Sequence, residues 1–286
     1  MLIKYKTMIN HGVILGQRDT DYIAGTLPYE IVNPTGDWTP YLPLGEYQRL
    51  PSYSFDTMAC VTFSALNIIE TLYFFITGVR RNFSDRFTAR MSGTTQDGNW
   101  QWKVADSIRK AGIVDEELWP APTSPSTTWG EYYSVPTIEV VNKALEFKND
   151  WEVTYEFIDF TRESLLYHLK QAPIQVIIPG HAVMNFLTTD QVYKYFDSYS
   201  PFVKERVEPF VYAMKLILTK KSMAKFVKVE GEEDVWSVLN GKRSLVYNAL
   251  AFNLVSADWA SIKTITQAEL IAIPDTGKVI AGLDQE

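Results

Sequence analysis

Cys60 is the only cysteine in a 286-residue chain, and His11, His168 and His181 are its only histidines. A single thiol cannot form an intrachain disulfide, so whatever Cys60 does it does as a free thiol. One Cys and three His do not make a closed Cys/His zinc site without carboxylate help. Cys60 stands where a turn gives way to a long apolar run. The free amide N–H groups and the dipole at a helix start stabilise a thiolate there; the bland alternative is a buried packing residue. His181 follows Pro179-Gly180 and opens the strand-like stretch GHAVMNF. Asp197 closes the next such stretch, in YFDSY. Two adjacent antiparallel strands would set His181 beside Asp197, placing a base next to its orienting group.

These residues need elements to hold them. The run 61–79, VTFSALNIIETLYFFITGV, is long enough to raise the membrane question. Asn67 and Glu70 lie near its middle, and a central carboxylate is penalised by about 2–3 kcal/mol on insertion scales. A buried helix over 60–79 is the better reading. Further helices are expected over 84–91, 100–111 (with Gly112 as a C-cap), 136–147 and 161–171 (with Thr161 as N-cap). Strands are expected over 151–158, 175–178, 182–187, 191–196 and 212–219. A helical first half followed by an antiparallel second half is an α+β pattern, not alternating βαβ. From about residue 222 the chain changes character. The runs 235–239 and 242–247 flank Asn240-Gly241, a strong hairpin signal. The expected organisation is therefore a main domain over 1–221 and a small β-rich module over 222–286. The module loosely resembles small β modules of bacterial and phage surface proteins.

In this order the residues resemble the papain/cathepsin family of cysteine peptidases. MACVTFSA is similar to that family's nucleophile motif, GHAV to its histidine motif, and DSY stands where the family has Asn-Ser-Trp. ADSIRKAGIVDEELWP and YEFIDFTRESLLYHLKQAPIQVIIPG resemble its intervening segments, so the likeness covers roughly residues 20–220. It implies a two-lobed fold and a cysteine-type peptidase that needs no cofactor or metal. In it Cys60 attacks as a thiolate, His181 is the base and acid, and Asp197 fixes the imidazole. Gln48, in YLPLGEYQ, would hold the oxyanion with the Cys60 N–H; at the strict family spacing the residue is Ser54. Val61 stands in place of the family's aromatic, Asp197 in place of Asn, and Tyr199 in place of Trp. Asp97-Gly98-Asn99 is a reduced form of the substrate-binding strand. With 59 residues before Cys60, the family's long helical inhibitory propeptide does not fit.

Two alternatives stay open at this point. One is an amidase or endopeptidase of peptidoglycan with the same Cys-His logic. The other is an inactive papain-like scaffold, such as a virion protein. The formal charge of −7 (27 Lys+Arg against 34 Asp+Glu) gives no general attraction to nucleic acid or anionic membrane. The expected partner is a protein or peptide substrate, with no nucleic acid and no membrane insertion. No signal-peptide pattern opens the sequence, which points to a cytoplasmic or virion-associated place. Residues 93–98 have P-loop glycine spacing but lack the Lys-Ser/Thr that binds phosphate. Lys215, Lys220, Lys221, Lys225 and Lys228 read as a solvated basic face. His168 reads as a helix-surface or core-edge residue, and His11 as part of an irregular start.

Overall fold

The structure is a computed structural model that describes residues 11–16, 31–221, 225–239, 242–246 and 262–280. The chain divides into two compact units, residues 1–219 and 220–286.

In the first unit, helix α1 (Cys60–Thr77) is the central element. Every residue from Cys60 to Leu72 is buried, so this apolar helix is a core helix wrapped by protein. It ends at Gly78, whose left-handed backbone (φ 72°) lets its N–H reach the Phe74 carbonyl. Glu70 is tolerated inside because its carboxylate accepts the Phe83 N–H at 2.7 Å. Helices α2 (Asp85–Met91) and α3 (Gln101–Ala111) pack on α1. Ser84 caps α2 by accepting the Phe87 N–H. A short α4 (Trp129–Tyr132) begins with a Thr128/Glu131 capping box. Helix α5 spans Ile138–Asp150 and is capped by Thr137, two residues later than Pro136 suggested. Helix α6 (Arg162–His168) starts on the expected cap, Thr161, and is shorter than its sequence pattern implied.

Strand β1 (Val13–Ile14) pairs in parallel with β2 (Asn99–Trp100). The main sheet contains β3 (Trp151–Ile158), β4 (Ile174–Ile178), β5 (His181–Thr188), β6 (Tyr193–Phe196), β7 (Val203–Arg206) and β8 (Tyr212–Lys220), in the order β3-β8-β4-β5-β6-β7. Its pairings β8–β4, β4–β5, β5–β6 and β6–β7 are antiparallel. The turn before β6 extends to Val192, because the Thr189 hydroxyl accepts the N–H groups of Gln191 and Val192. The fold is α+β: a helical layer carrying α1 and an antiparallel sheet, with α1 packed on β4 and β5.

Two sequence readings are corrected here. Lys215 is not part of a solvated face: β8 lies inside the sheet between β3 and β4. Lys215 is fully buried, with its ammonium 2.6 Å from Glu156 on β3. His168 is buried as well, with Nδ1 3.3 Å from the Lys215 ammonium. Burial and then the lysine charge push this imidazole down to about 4. Lys220, Lys221 and Lys228 are exposed as expected.

The second unit has a five-stranded sheet, β12-β9-β10-β11-β13. Its strands are β9 (Lys225–Val229), β10 (Val235–Leu239), β11 (Lys242–Val246), β12 (Lys263–Ile265) and β13 (Asp275–Ile280). Strands β10 and β11 pair antiparallel, Leu239 opposite Lys242, as the hairpin pattern implied. The turn residues Asn240 and Gly241 themselves lie outside the described residues. Helix α7 (Gln267–Ala272) opens on a Thr266/Glu269 capping box.

Candidate active site

Cys60 is the first residue of α1, so its N–H has no intrahelical partner. Two residues before it, Met58 is held at φ 57°. A left-handed methionine is costly, and the turn that holds it is fastened by Asp56, whose Oδ1 accepts the Met58 N–H at 2.9 Å. The Cys60 sulfur accepts the N–H of Ala182, the residue after His181, at 3.4 Å. That contact joins the start of α1 to the start of β5.

His181 opens β5 straight after the Pro179-Gly180 turn, opposite Ile178. On the next pairing Met184 faces Phe196. One further step of that register sets Asp197 opposite Val183. His181, two residues before Val183 on the same face, is then its diagonal neighbour. The side chains meet: His181 Nε2 lies 2.7 Å from Asp197 Oδ1, and both are buried. A carboxylate can only accept, so Nε2 carries the hydrogen. Nδ1 is buried and without a hydrogen-bond partner among the described residues. Asp197 also accepts the Tyr199 N–H on Oδ1 and the Lys204 ammonium on Oδ2 at 2.7 Å. Burial pushes its carboxyl up, but His181 and then Lys204 outweigh this and hold it below the usual range. The Tyr199 ring leans against the imidazole at 5.4 Å.

Gln48 is locked from several sides. Its N–H donates to the Ser198 carbonyl, and its Oε1 accepts the Ser198 hydroxyl at 3.1 Å. One amide hydrogen goes to Asp56 Oδ1 at 2.7 Å and the other to the backbone carbonyl of His11 at 2.8 Å. Ser54 is exposed. The glutamine, not the serine, is therefore the donor that faces a carbonyl oxygen here.

His11 was not singled out by the sequence, and the structure brings it into the site. Its N–H donates to the Gly180 carbonyl at 2.8 Å, and the Gly12 carbonyl accepts the Asn99 N–H at 2.8 Å. Its ring lies against both His181 and Tyr199 and hydrogen-bonds the Tyr199 hydroxyl at 3.1 Å. Asp56 gathers His11, Tyr199, Met58 and Gln48. Burial raises this carboxyl, but the hydrogen bonds it accepts outweigh burial and hold it at about 2. Residues 11–14 thus run as a strap between Gly180, Gln48 and Met58, seated on the Asp97-Gly98-Asn99 stretch. The approach is close enough to require glycine. A Cβ on Gly12 (φ 107°) would lie 1.9 Å from the Met58 oxygen, and one on Gly98 would lie 2.0 Å from the Gly12 oxygen. The motif that might have flagged the strap, one His-Gly pair, is too short to carry meaning alone.

Burial also changes the expected state of Cys60. The sulfur is fully buried, and burial pushes the thiol up instead of down despite the Ala182 and Val61 N–H groups beside it. Among the described residues no group of three His, Cys, Asp or Glu side chains is arranged to hold a metal ion.

No family model matches this sequence, and no curated protein matches it. Solved structures do match the fold. Xylellain, a cysteine protease from Xylella fastidiosa, aligns with a TM-score of 0.56 over 76% of this chain and 99% of its own, at 13% identity. The proform of the ragweed cysteine protease Amb a 11 aligns at 0.50 over 63% of this chain and 65% of its own, at 14% identity. A recombinant stem bromelain precursor aligns at 0.50 over 71% of this chain and 76% of its own, at 14% identity. The fold is that of the papain-like cysteine proteases.

Proposed function

We propose that the chain is a cysteine-type peptidase that uses Cys60, His181, Asp197 and Gln48. The observation that carries this reading is the His181 ring, tied through Nε2 to Asp197, at the start of the strand whose next N–H touches the Cys60 sulfur. In this scheme His181 Nδ1 takes the thiol proton and the sulfur attacks a peptide carbonyl. The oxyanion sits between the Gln48 amide and the Cys60 N–H. The imidazolium then protonates the leaving amine, and water hydrolyses the acyl-enzyme with His181 again as base. The His11 carbonyl, on the Gln48 amide, occupies the place this scheme gives to the oxyanion. The strap must therefore leave before a substrate enters, and Asn99 is then free to pair with the substrate backbone.

The test is an epoxide-type thiol inhibitor and a fluorogenic peptide series, with Cys60→Ser as control. Labelling at Cys60 together with peptide turnover abolished in the control is the expected result. Absence of both after removal of residues 1–16 rejects the reading.

A further inference from the structure

Lys204 is a residue that the scheme above does not use. It lies on β7 opposite Tyr195, and its ammonium meets Asp197 Oδ2 at 2.7 Å. An exposed ion pair of this kind contributes little. This one is asymmetric: the Asp197 side chain is 5% exposed and that of Lys204 25%. A carboxylate this buried depends on every partner it has. We propose that Lys204 is a positioning residue for the Asp197–His181 pair. Its ammonium clamps Oδ2, so that Oδ1 is presented to the imidazole, and it offsets the charge an aspartate brings to this position. The inference rests on the reading of Cys60, His181 and Asp197 as one reacting set.

The physical reason is a matter of charge. A neutral amide beside the imidazole would orient the ring without adding charge. A bare carboxylate orients it and also stabilises imidazolium, which makes the ring slower to give its proton to a leaving group. A cation on the far oxygen returns the pair to near neutrality while keeping the hydrogen bond. The other groups facing the pair do not supply that cation. Tyr199 covers the ring and Tyr195 lies beside Asp197 on β6. Cys60 is reached through Ala182, and Asp56 is a further anion across the strap. His11 packs edge-on against His181, but its Nδ1 is directed to Asp56 and Tyr199.

The test compares Lys204→Met, Lys204→Gln and Lys204→Arg in the full chain. The readouts are the NMR titration of the His181 ring and the pH profile of kcat/KM. In the Met and Gln variants the midpoint of the ring titration should move upward by about half to one pH unit. The alkaline limb of kcat/KM should follow it, and the Arg variant should restore both. A merely structural ion pair would change stability and leave the midpoint in place, so an unmoved midpoint in folded Met or Gln variants overturns the clamp. If the midpoint moves but no variant, wild type included, cleaves peptides even after removal of residues 1–16, the clamp holds and the peptidase reading fails. If peptides are cleaved with an unmoved midpoint and profile, the peptidase reading holds and the clamp fails.

Discussion

At the scale of single residues, Asp197 occupies the position most open to measurement. Its Oδ1 needs only to accept from His181 Nε2, which an asparagine carbonyl does equally well. Asp197→Asn should therefore retain substantial kcat/KM. Asp197→Ala, which leaves the ring free to turn, should lose about tenfold or more. Equal kcat/KM for wild type and both variants would reduce the site to a Cys60–His181 dyad. Cys60 itself shows how burial and helix position compete. The N–H groups at the start of α1 and β5 favour the thiolate, and complete desolvation disfavours it by more.

At the scale of elements, the strap over residues 11–14 and the β2 strand form one unit built on two glycines. A methyl group on Gly12 has no place to go, because the Met58 backbone cannot yield. Gly12→Ala should unseat the strap, uncover Cys60 and raise its alkylation rate by iodoacetamide at pH 7 by about tenfold or more. An unchanged rate, with the fold intact by circular dichroism, would mean that the strap does not control access. The parallel pairing of β1 with β2 fixes the direction in which the strap crosses the site. Asp56 fastens its first residue, His11, through the ring and through Tyr199.

At the scale of the whole molecule, two clusters of ionisable side chains couple stability to charge. Lys215 and Glu156 are an ion pair in the sheet interior with no exposed surface. Lys215→Met strands the glutamate and should cost about 3–5 kcal/mol in urea unfolding, whereas a surface change such as Lys220→Met should cost almost nothing. The second cluster lines a cavity of about 390 Å³ next to Gln48 and contains Glu46, Asp85 and Glu116. Burial, outweighing the Ala121 N–H it accepts, pushes Glu116 up to about 7. The folded chain therefore binds this proton more tightly than the unfolded chain, whose carboxyl titrates near its ordinary 4.5. Stability from Glu116 is present below about pH 4.5 and is lost as pH rises towards about 7. Allowing for partial exposure, wild type should lose about 2 kcal/mol more than Glu116→Gln between pH 5 and pH 8. Parallel stability–pH curves for the two proteins would contradict that assignment.

The sequence by itself determined most of the main-domain helices and strands and the candidate reacting groups, but not β1, β2, α4 or β7. An apolar run too long for a strand and interrupted by Glu70 had to be a buried helix. The Thr161 cap and the Pro179-Gly180 turn were readable because capping and turn chemistry are local. The order of Cys60, His181 and Asp197 was legible for the same reason: each sits at an element boundary that its neighbours define. Tertiary structure decided the rest. Whether Lys215 faces water or a glutamate depends on which strand flanks β8, and no local pattern encodes strand order. That His11 lies on His181 follows from chain segments distant in sequence meeting at the site, and that Lys204 reaches Asp197 follows from the pairing of β6 with β7. Burial of Cys60 is likewise a sum over all those neighbours. A helix start alone predicted a thiol made acidic; packing reversed the sign, because desolvation depends on everything that surrounds the sulfur and not on the residues beside it in the chain.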